Sequence, residues 1–307
     1  SRDAANYGPP NLNFTNYGDL TDGNRSRRYV HTWTFGDGWT FVRKQHTVTA
    51  GFDFTRTQWN TLADPNARGT LFFGGLATSA LTSEGLPVAR TGNDFADYLL
   101  GYPQQSTIRF GSPDSYMRSS QYGVFVQDEW RARPNLTFNL GLRYDNWRPF
   151  TEKYGRLSNL DIAPGTTAAV VVMPGSMGPY SGVTPDGMIR PDNNNLSPRL
   201  GFSWKPRQKG RTIVRGGYGM FFDGSVYSRI PSRLAQQPPF ATSATFNTTA
   251  SAPLTMLNPF QGPADTTIRN SYAVTPDYLV PNAQTWNLSV QQDVKGHVIE
   301  AGYVATK

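Results

Sequence analysis

The sequence predicts an all-β fold: antiparallel strands of a transmembrane β-barrel, present in part, with short periplasmic turns and long extracellular loops. Three observations predict it. Side chains alternate between apolar and polar over runs of about ten residues, the length a tilted strand needs to cross a bilayer. The runs pair across short turns, while the hairpins are separated by connections far longer than the loops of compact soluble domains. The seven tryptophans fall near predicted strand ends.

The clearest alternation runs from Leu136 to Asp145. Leu136, Phe138, Leu140, Leu142 and Tyr144 share one face, and Thr137, Asn139, Gly141, Arg143 and Asp145 share the other, because successive side chains of a strand point to opposite faces. The same rhythm places Val48, Ala50, Phe52 and Phe54 opposite Thr47, Thr49, Gly51, Asp53 and Thr55. It recurs in Leu200, Phe202 and Trp204, in Trp286, Leu288 and Val290, and more weakly in Ile299, Ala301 and Tyr303. Turn-forming residues at Gly36–Gly38, Arg131–Pro134, Pro206–Gly210 and Val294–Gly296 join these runs into four hairpins. Between the hairpins lie polar connections near Asn60–Gln105, Asn146–Pro198 and Gly224–Gln284, with a short helix expected at Asp94–Leu100. About eight strands result, ten if the stretch near Thr107–Arg118 contributes. Trp33, Trp39, Trp130 and Trp204 lie beside predicted short turns, and Trp59, Trp147 and Trp286 beside long loops. This is the distribution of two membrane-interface girdles.

Composition agrees with this class and excludes others. Charged residues are 17% of the chain, against roughly 25% in soluble proteins. Yet hydrophobic residues reach only 37%, so no enlarged soluble core compensates. The 30 Gly and 23 Pro suit a protein rich in turns. With no cysteine, disulfide frameworks, thiolate metal sites and cysteine nucleophiles are excluded. The longest apolar run, Ala168–Met173, is too short for a membrane-spanning helix. The net charge of +7 is spread over strands and loops, with concentrations only at Arg25–Arg28 and Lys205–Arg211, so no nucleic-acid partner is expected. Because the sequence opens at Ser1 without a leader, it is read as a mature form or an internal portion.

Several segments resemble a known family. Phe95-Ala-Asp97-Tyr-Leu-Leu-Gly101, Tyr122-Gly-Val-Phe-Val-Gln-Asp128-Glu-Trp130 and Pro134-Asn-Leu-Thr-Phe-Asn-Leu-Gly-Leu-Arg143-Tyr-Asp145 resemble the barrel of TonB-dependent receptors, most closely the Oar-like group. Leu196–Trp204 and Gly216–Asp223 resemble later strands of the same barrel. The resemblance covers the chain from about Arg28 to its end. It implies the outer membrane of a Gram-negative-type bacterium and a barrel of about 22 strands around a plug. It also implies a TonB box that contacts TonB, and uptake of a scarce large solute such as a siderophore, vitamin or glycan. No plug and no TonB box are recognisable, so residues 1–307 are read as a partial barrel domain, with plug and TonB contact belonging to other parts of the protein.

The search for chemistry predicts no enzyme. His31, His46 and His297 lack metal-ligand spacing, and neither a nucleophile elbow nor a phosphate loop occurs. Asp128 and Glu129 are adjacent on a strand, face opposite sides and do not form an acid–base pair; a link to Arg131 or Arg133 is expected instead. No cofactor or metal is expected, although Asp186-Gly187 and Asp192–Asn195 carry oxygen ligands that turn chemistry also explains. The alternation points Arg143, Asp145 and Arg199 into the lumen. There they form a basic wall for an anionic solute, or ordinary polar lining, or salt bridges that hold a plug in the full protein. Outer-membrane lipid and an unidentified imported ligand are the expected partners. A passive porin-like barrel, or a soluble all-β binding protein or adhesin, remains the alternative.

Overall fold

The computed structural model describes residues 7–23, 26–63, 66–111, 114–207, 211–267 and 271–307. Eight strands, β1 (Ser26–Arg43), β2 (His46–Ala63), β3 (Asp114–Arg133), β4 (Leu136–Trp147), β5 (Leu196–Trp204), β6 (Thr212–Phe222), β7 (Asn282–Val294) and β8 (His297–Thr306), form one antiparallel meander. Each strand pairs with its neighbours in the chain, from β1 at one edge to β8 at the other. A two-residue piece, Thr151–Glu152, also pairs with β3. The sheet is open among the described residues, with β1 and β8 at its two edges.

Register carries the period-two pattern from strand to strand. Trp39, Ala50, Val126, Leu142 and Pro198 form one row across β1 to β5, and Gly38, Gly51, Phe125, Arg143 and Ser197 form the next. The first kind of row builds an apolar, exposed face and the second a polar face lined with Gly, Ser, Thr, Asp and Arg. A membrane barrel turns the apolar face to lipid and the polar face to its lumen. Asp37 interrupts the apolar face of β1 between Phe35 and Trp39, and its Oδ1 accepts from the Gly38 N–H at 2.8 Å.

The hairpin turns are tight. Lys44-Gln45 joins β1 to β2, Pro134-Asn135 joins β3 to β4, and Lys295-Gly296 joins β7 to β8 with positive φ at both residues (51° and 88°). This matches the right-handed twist of the flanking strands. The first turn therefore differs from the expected Gly36–Gly38. Those residues stay paired with Gly51–Asp53, and the strand runs on through them, with Trp33, Phe35, Trp39 and Phe41 on one face to either side of Asp37. Arg131–Arg133 likewise belongs to β3, which bulges between Trp130 and Arg133 before the turn. The β5–β6 turn and the basic stretch around it include residues 208–210, and these, Arg25 and Ser1 lie outside the described residues.

The long connections are folded, not merely polar. The helix α1 (Asp94–Leu100) occupies the expected span: the Asn93 side chain caps it by accepting from the Ala96 N–H, and Gly101 closes it at φ 78°. The stretch near Thr107 contributes Gln105–Gly111, which belongs to a separate four-stranded sheet with Asn11–Phe14, Thr70–Phe73 and Ala241–Asn247. Rings from three segments seal this sheet against α1, with Phe14, Phe73 and Tyr98 centroids 5.5 to 5.7 Å apart. The largest buried cluster also lies in this layer. Trp59, Met117, Phe150, Leu157, Met188, Tyr227 and Leu234 gather the far ends of β2 and β3 and the two later connections around one core. The molecule thus has a hydrophobic core above the sheet and two solvent- or lipid-exposed faces below it.

Candidate functional site

The polar face brings the three expected lumen residues into one region of the wall. Arg143 on β4 donates from Nε and Nη2 to the two Asp145 oxygens, at 2.8 and 2.7 Å, and from Nη2 to Asp53 Oδ1 on β2 at 2.8 Å. One guanidinium therefore bridges two carboxylates across β3, which lies between them. Gly123 makes the bridge possible, since a Cβ there would overlap the Arg143 guanidinium and the Asp53 carboxylate. Phe125, whose ring lies over Gly51, covers the same guanidinium with its centroid 6.0 Å from Cζ. Glycines at paired positions under long side chains are the sheet's way of letting them lie flat on the wall.

Arg199 stands one step along β5, opposite Gly141. Its guanidinium lies over the Phe221 ring at 4.7 Å, and no carboxylate pairs with it among the described residues. Between Arg143 and Arg199 is a shallow pocket of about 210 Å³, floored by Gly141 and walled by Phe125 and Gln127. Arg143 is neutralised by two acids, so Arg199 is the cation of this pocket left to meet an anion. Arg215, further along the same face, donates to Gln291 at 2.8 Å.

Above this wall, on the same face, a cleft of about 270 Å³ opens toward the long connections. Thr55, Thr57, Ser119 and Gln121 line its sheet side, Ser225 and Ser228 its loop side, and Trp147 its floor. This cleft escaped the sequence reading because its loop half comes from more than 75 residues away in the chain.

Five tryptophans, Trp33, Trp39, Trp130, Trp204 and Trp286, stand exposed or half-exposed on the apolar face. Trp130 and Trp204 lie at the short-turn end, where the His46 ring stacks on Trp130 at 5.6 Å. Trp33 and Trp39 both lie within β1, not beside a turn, because the chain turns at Lys44-Gln45; Trp39 pairs with Ala50, and Trp33 pairs across with Arg56, where the apolar band of β2 ends. Trp59 and Trp147 differ from the expected girdle. They share the parity of Thr57 and of Arg143 and Asp145, so they project from the polar face. Trp59 is 8% exposed, against Phe150 and under the Arg28 guanidinium at 3.7 Å. Trp147 packs over Gly224, where a Cβ would overlap the indole. Both are core residues of the loop layer.

The remaining polar candidates have local partners. Glu129 pairs with Arg131 at 3.0 Å, and Asp128 accepts from His46 Nδ1 at 2.7 Å. Asp192 accepts from the N–H groups of Val280 and Asn194, as a turn carboxylate does.

The outer membrane beta barrel domain family matches residues 1–307. The chain belongs to that family. It is therefore an outer-membrane β-barrel protein, in which the short turns face the periplasm and the long connections lie on the extracellular side. No curated protein matches it. Among solved structures, it is similar to the outer membrane transporter YddB from Escherichia coli, at 12% identity and a TM-score of 0.47. The match covers 96% of this chain and 28% of that one. The chain thus spans little more than a quarter of that transporter's length.

Proposed function

We propose that this segment forms part of the wall and extracellular vestibule of a barrel for energy-coupled uptake of a large, scarce solute. The plug and the contact with TonB would come from parts of the protein outside these residues, as in the Oar-like receptors the sequence resembles. The observation that carries the proposal is the path along the polar face. A hydroxyl-lined cleft floored by Trp147 leads toward a pocket whose open cation is Arg199. An aromatic floor with hydroxyls suits a glycan or ring-bearing solute, and the arginine suits its anionic groups. The two carboxylates in this path, Asp53 and Asp145, are both held by Arg143, and no nucleophile constellation accompanies them among the described residues; a wall of fixed charges performs selection, not chemistry.

The test uses the full-length protein in its host. Uptake of labelled candidate solutes (ferric siderophores, cobalamin, oligosaccharides) is measured with and without a protonophore. Energy-coupled uptake of one class, reduced several-fold by Arg199→Gln, supports the proposal. Uptake that ignores the protonophore identifies a passive porin-like barrel instead.

A further inference from the structure

A second cationic site lies on the opposite, lipid-facing side of the sheet. The apolar band of β2 and β3 ends at Phe54 and Tyr122, whose rings lie 5.1 Å apart. Immediately beyond them on the same face come Arg56 and Ser120, which are register partners, and then Arg118. Arg148 follows the end of β4, tied to this level by its N–H donating to the Ser120 carbonyl at 2.9 Å. The three arginines line one groove of about 350 Å³, closed from above by the segment 185–191 of a long connection.

These arginines lack counter-charges. Arg56 donates to the Ser120 hydroxyl at 2.8 Å, and Arg118 to the Asn60 side-chain oxygen and the Met117 carbonyl, both at 2.8 Å. All are neutral acceptors. Among the described residues none of the three arginines is within ion-pair distance of a carboxylate, whereas Arg68, Arg131, Arg143, Arg156, Arg190 and Arg211 each have one. Among the described residues, the only acid lining the groove is Asp186, which is exposed. Three guanidiniums beside a low-dielectric lipid face repel one another unless an anion joins them.

The level of the groove identifies that anion. From Arg56 down to His46 is ten positions of β2, about 33 Å along a strand and about 25 Å once tilted, the height of a bilayer's apolar band. Arg56 therefore stands at the extracellular headgroup level, where its register partner Trp33 is the interfacial aromatic. Below the groove the exposed Phe52, Val124 and Val126 offer a surface for acyl chains. A ligand with phosphate above and acyl chains below fits; a free anion uses only half of the surface. The structure assigns this groove to the phosphate of an outer-leaflet glycolipid, bound by Arg56, Arg118 and Arg148. Arginine forks suit phosphate oxygens, and clustered cations recognise anionic headgroups. The assignment depends on which face meets lipid and not on what the barrel transports.

The experiment places the full-length protein in phosphatidylcholine nanodiscs with bisphosphorylated lipid A, with its dephosphorylated form, or with neither. Bound glycolipid is counted by native mass spectrometry. Wild type should retain the bisphosphorylated form and lose it at least tenfold in the triple variant Arg56→Gln, Arg118→Gln, Arg148→Gln. Arg148→Gln alone, at an exposed side chain, should weaken retention without affecting the fold. Arg131→Gln, at the periplasmic turn, should retain it fully. Equal retention by the triple variant, or equal retention of the dephosphorylated form, overturns the assignment. So does full displacement by inorganic phosphate, which would make the groove a free-anion site.

Discussion

Arg143 holds two carboxylates from different strands, and its removal leaves Asp145, 6% exposed, without its cation. Arg143→Met should therefore cost about 1–3 kcal/mol, nearer the lower figure because Asp53 still reaches water. Adding Asp53→Asn and Asp145→Asn should recover most of the loss in urea unfolding of the full-length protein in vesicles. If the added substitutions recover nothing, the stability resides in packing around Gly123 and not in the ion bridge. A second residue-scale test concerns Asp94, in the extracellular layer. Burial pushes its carboxyl up, but hydrogen bonds outweigh this, chiefly from the Asn16 N–H at 2.6 Å and the Phe95 N–H, and hold it below its ordinary value of 3.8. A group lowered in the folded state contributes stability that is present above 3.8 and lost as pH falls through the folded value. Hydrogen exchange at Asn16 and α1 should accelerate below that range, and Asp94→Asn should remove the pH dependence; a profile unchanged by the variant would mean another group controls this loop. At this scale the sequence was readable wherever parity was followed. The alternation that put Arg143, Asp145 and Arg199 on the polar face also puts Trp59 and Trp147 there. Proximity to a strand end pointed the other way, because strand ends adjoin both the membrane interface and the loop core.

The strands are longer than the bilayer requires, and this explains much of what the alternation left open. β1, β2 and β3 hold 18, 18 and 20 residues, about 60 Å or more each, so nearly half of each stands above the membrane. Period two shows facing but not height, so the upper boundary at Trp33, Phe54, Tyr122 and Arg56 emerged only from register. Turn chemistry was equally ambiguous. Gly36-Asp37-Gly38 has the residues of a hairpin and Lys44-Gln45 does not, yet the long pairing of β1 with β2 determines which one turns. The folded loop layer depends on contacts between residues such as Asn159 and Val274, whose 115-residue separation no local pattern reports. Facing itself can be tested within β4. Leu142→Arg puts a charge on the lipid side and should cost about 2–4 kcal/mol. Asn139→Arg, on the lumen side and in register with Glu129, should be nearly neutral. Equal costs in vesicle refolding would mean that the two faces have been assigned wrongly.

The whole sheet has an unresolved demand for hydrogen bonds at its margins. β1 is exposed at every position and β8 at nearly every one, and among the described residues each presents an unpaired row of backbone N–H and C=O groups at bilayer depth. Lipid offers no partner for such rows, and each unsatisfied group costs several kcal/mol, so an open edge cannot persist in a membrane. Eight strands are enough to close a narrow barrel. Closure here would bend the polar wall until β1 met β8. It would also crowd the interior, where Phe125, Arg143, Arg199 and Phe221 already lie across the glycines. Additional strands joining both edges satisfy the same hydrogen bonds without that crowding, and they make room for a lumen under the loop layer. The 307-residue chain refolded alone into vesicles should therefore associate through its edges and give concentration-dependent oligomers by cross-linking. The same residues within the full-length protein should give a protease-resistant monomer whose mobility changes on heating. A heat-modifiable monomer from the isolated chain would show instead that β1 and β8 pair with each other. It would replace the transporter wall with a small closed barrel whose lumen is filled by its own side chains.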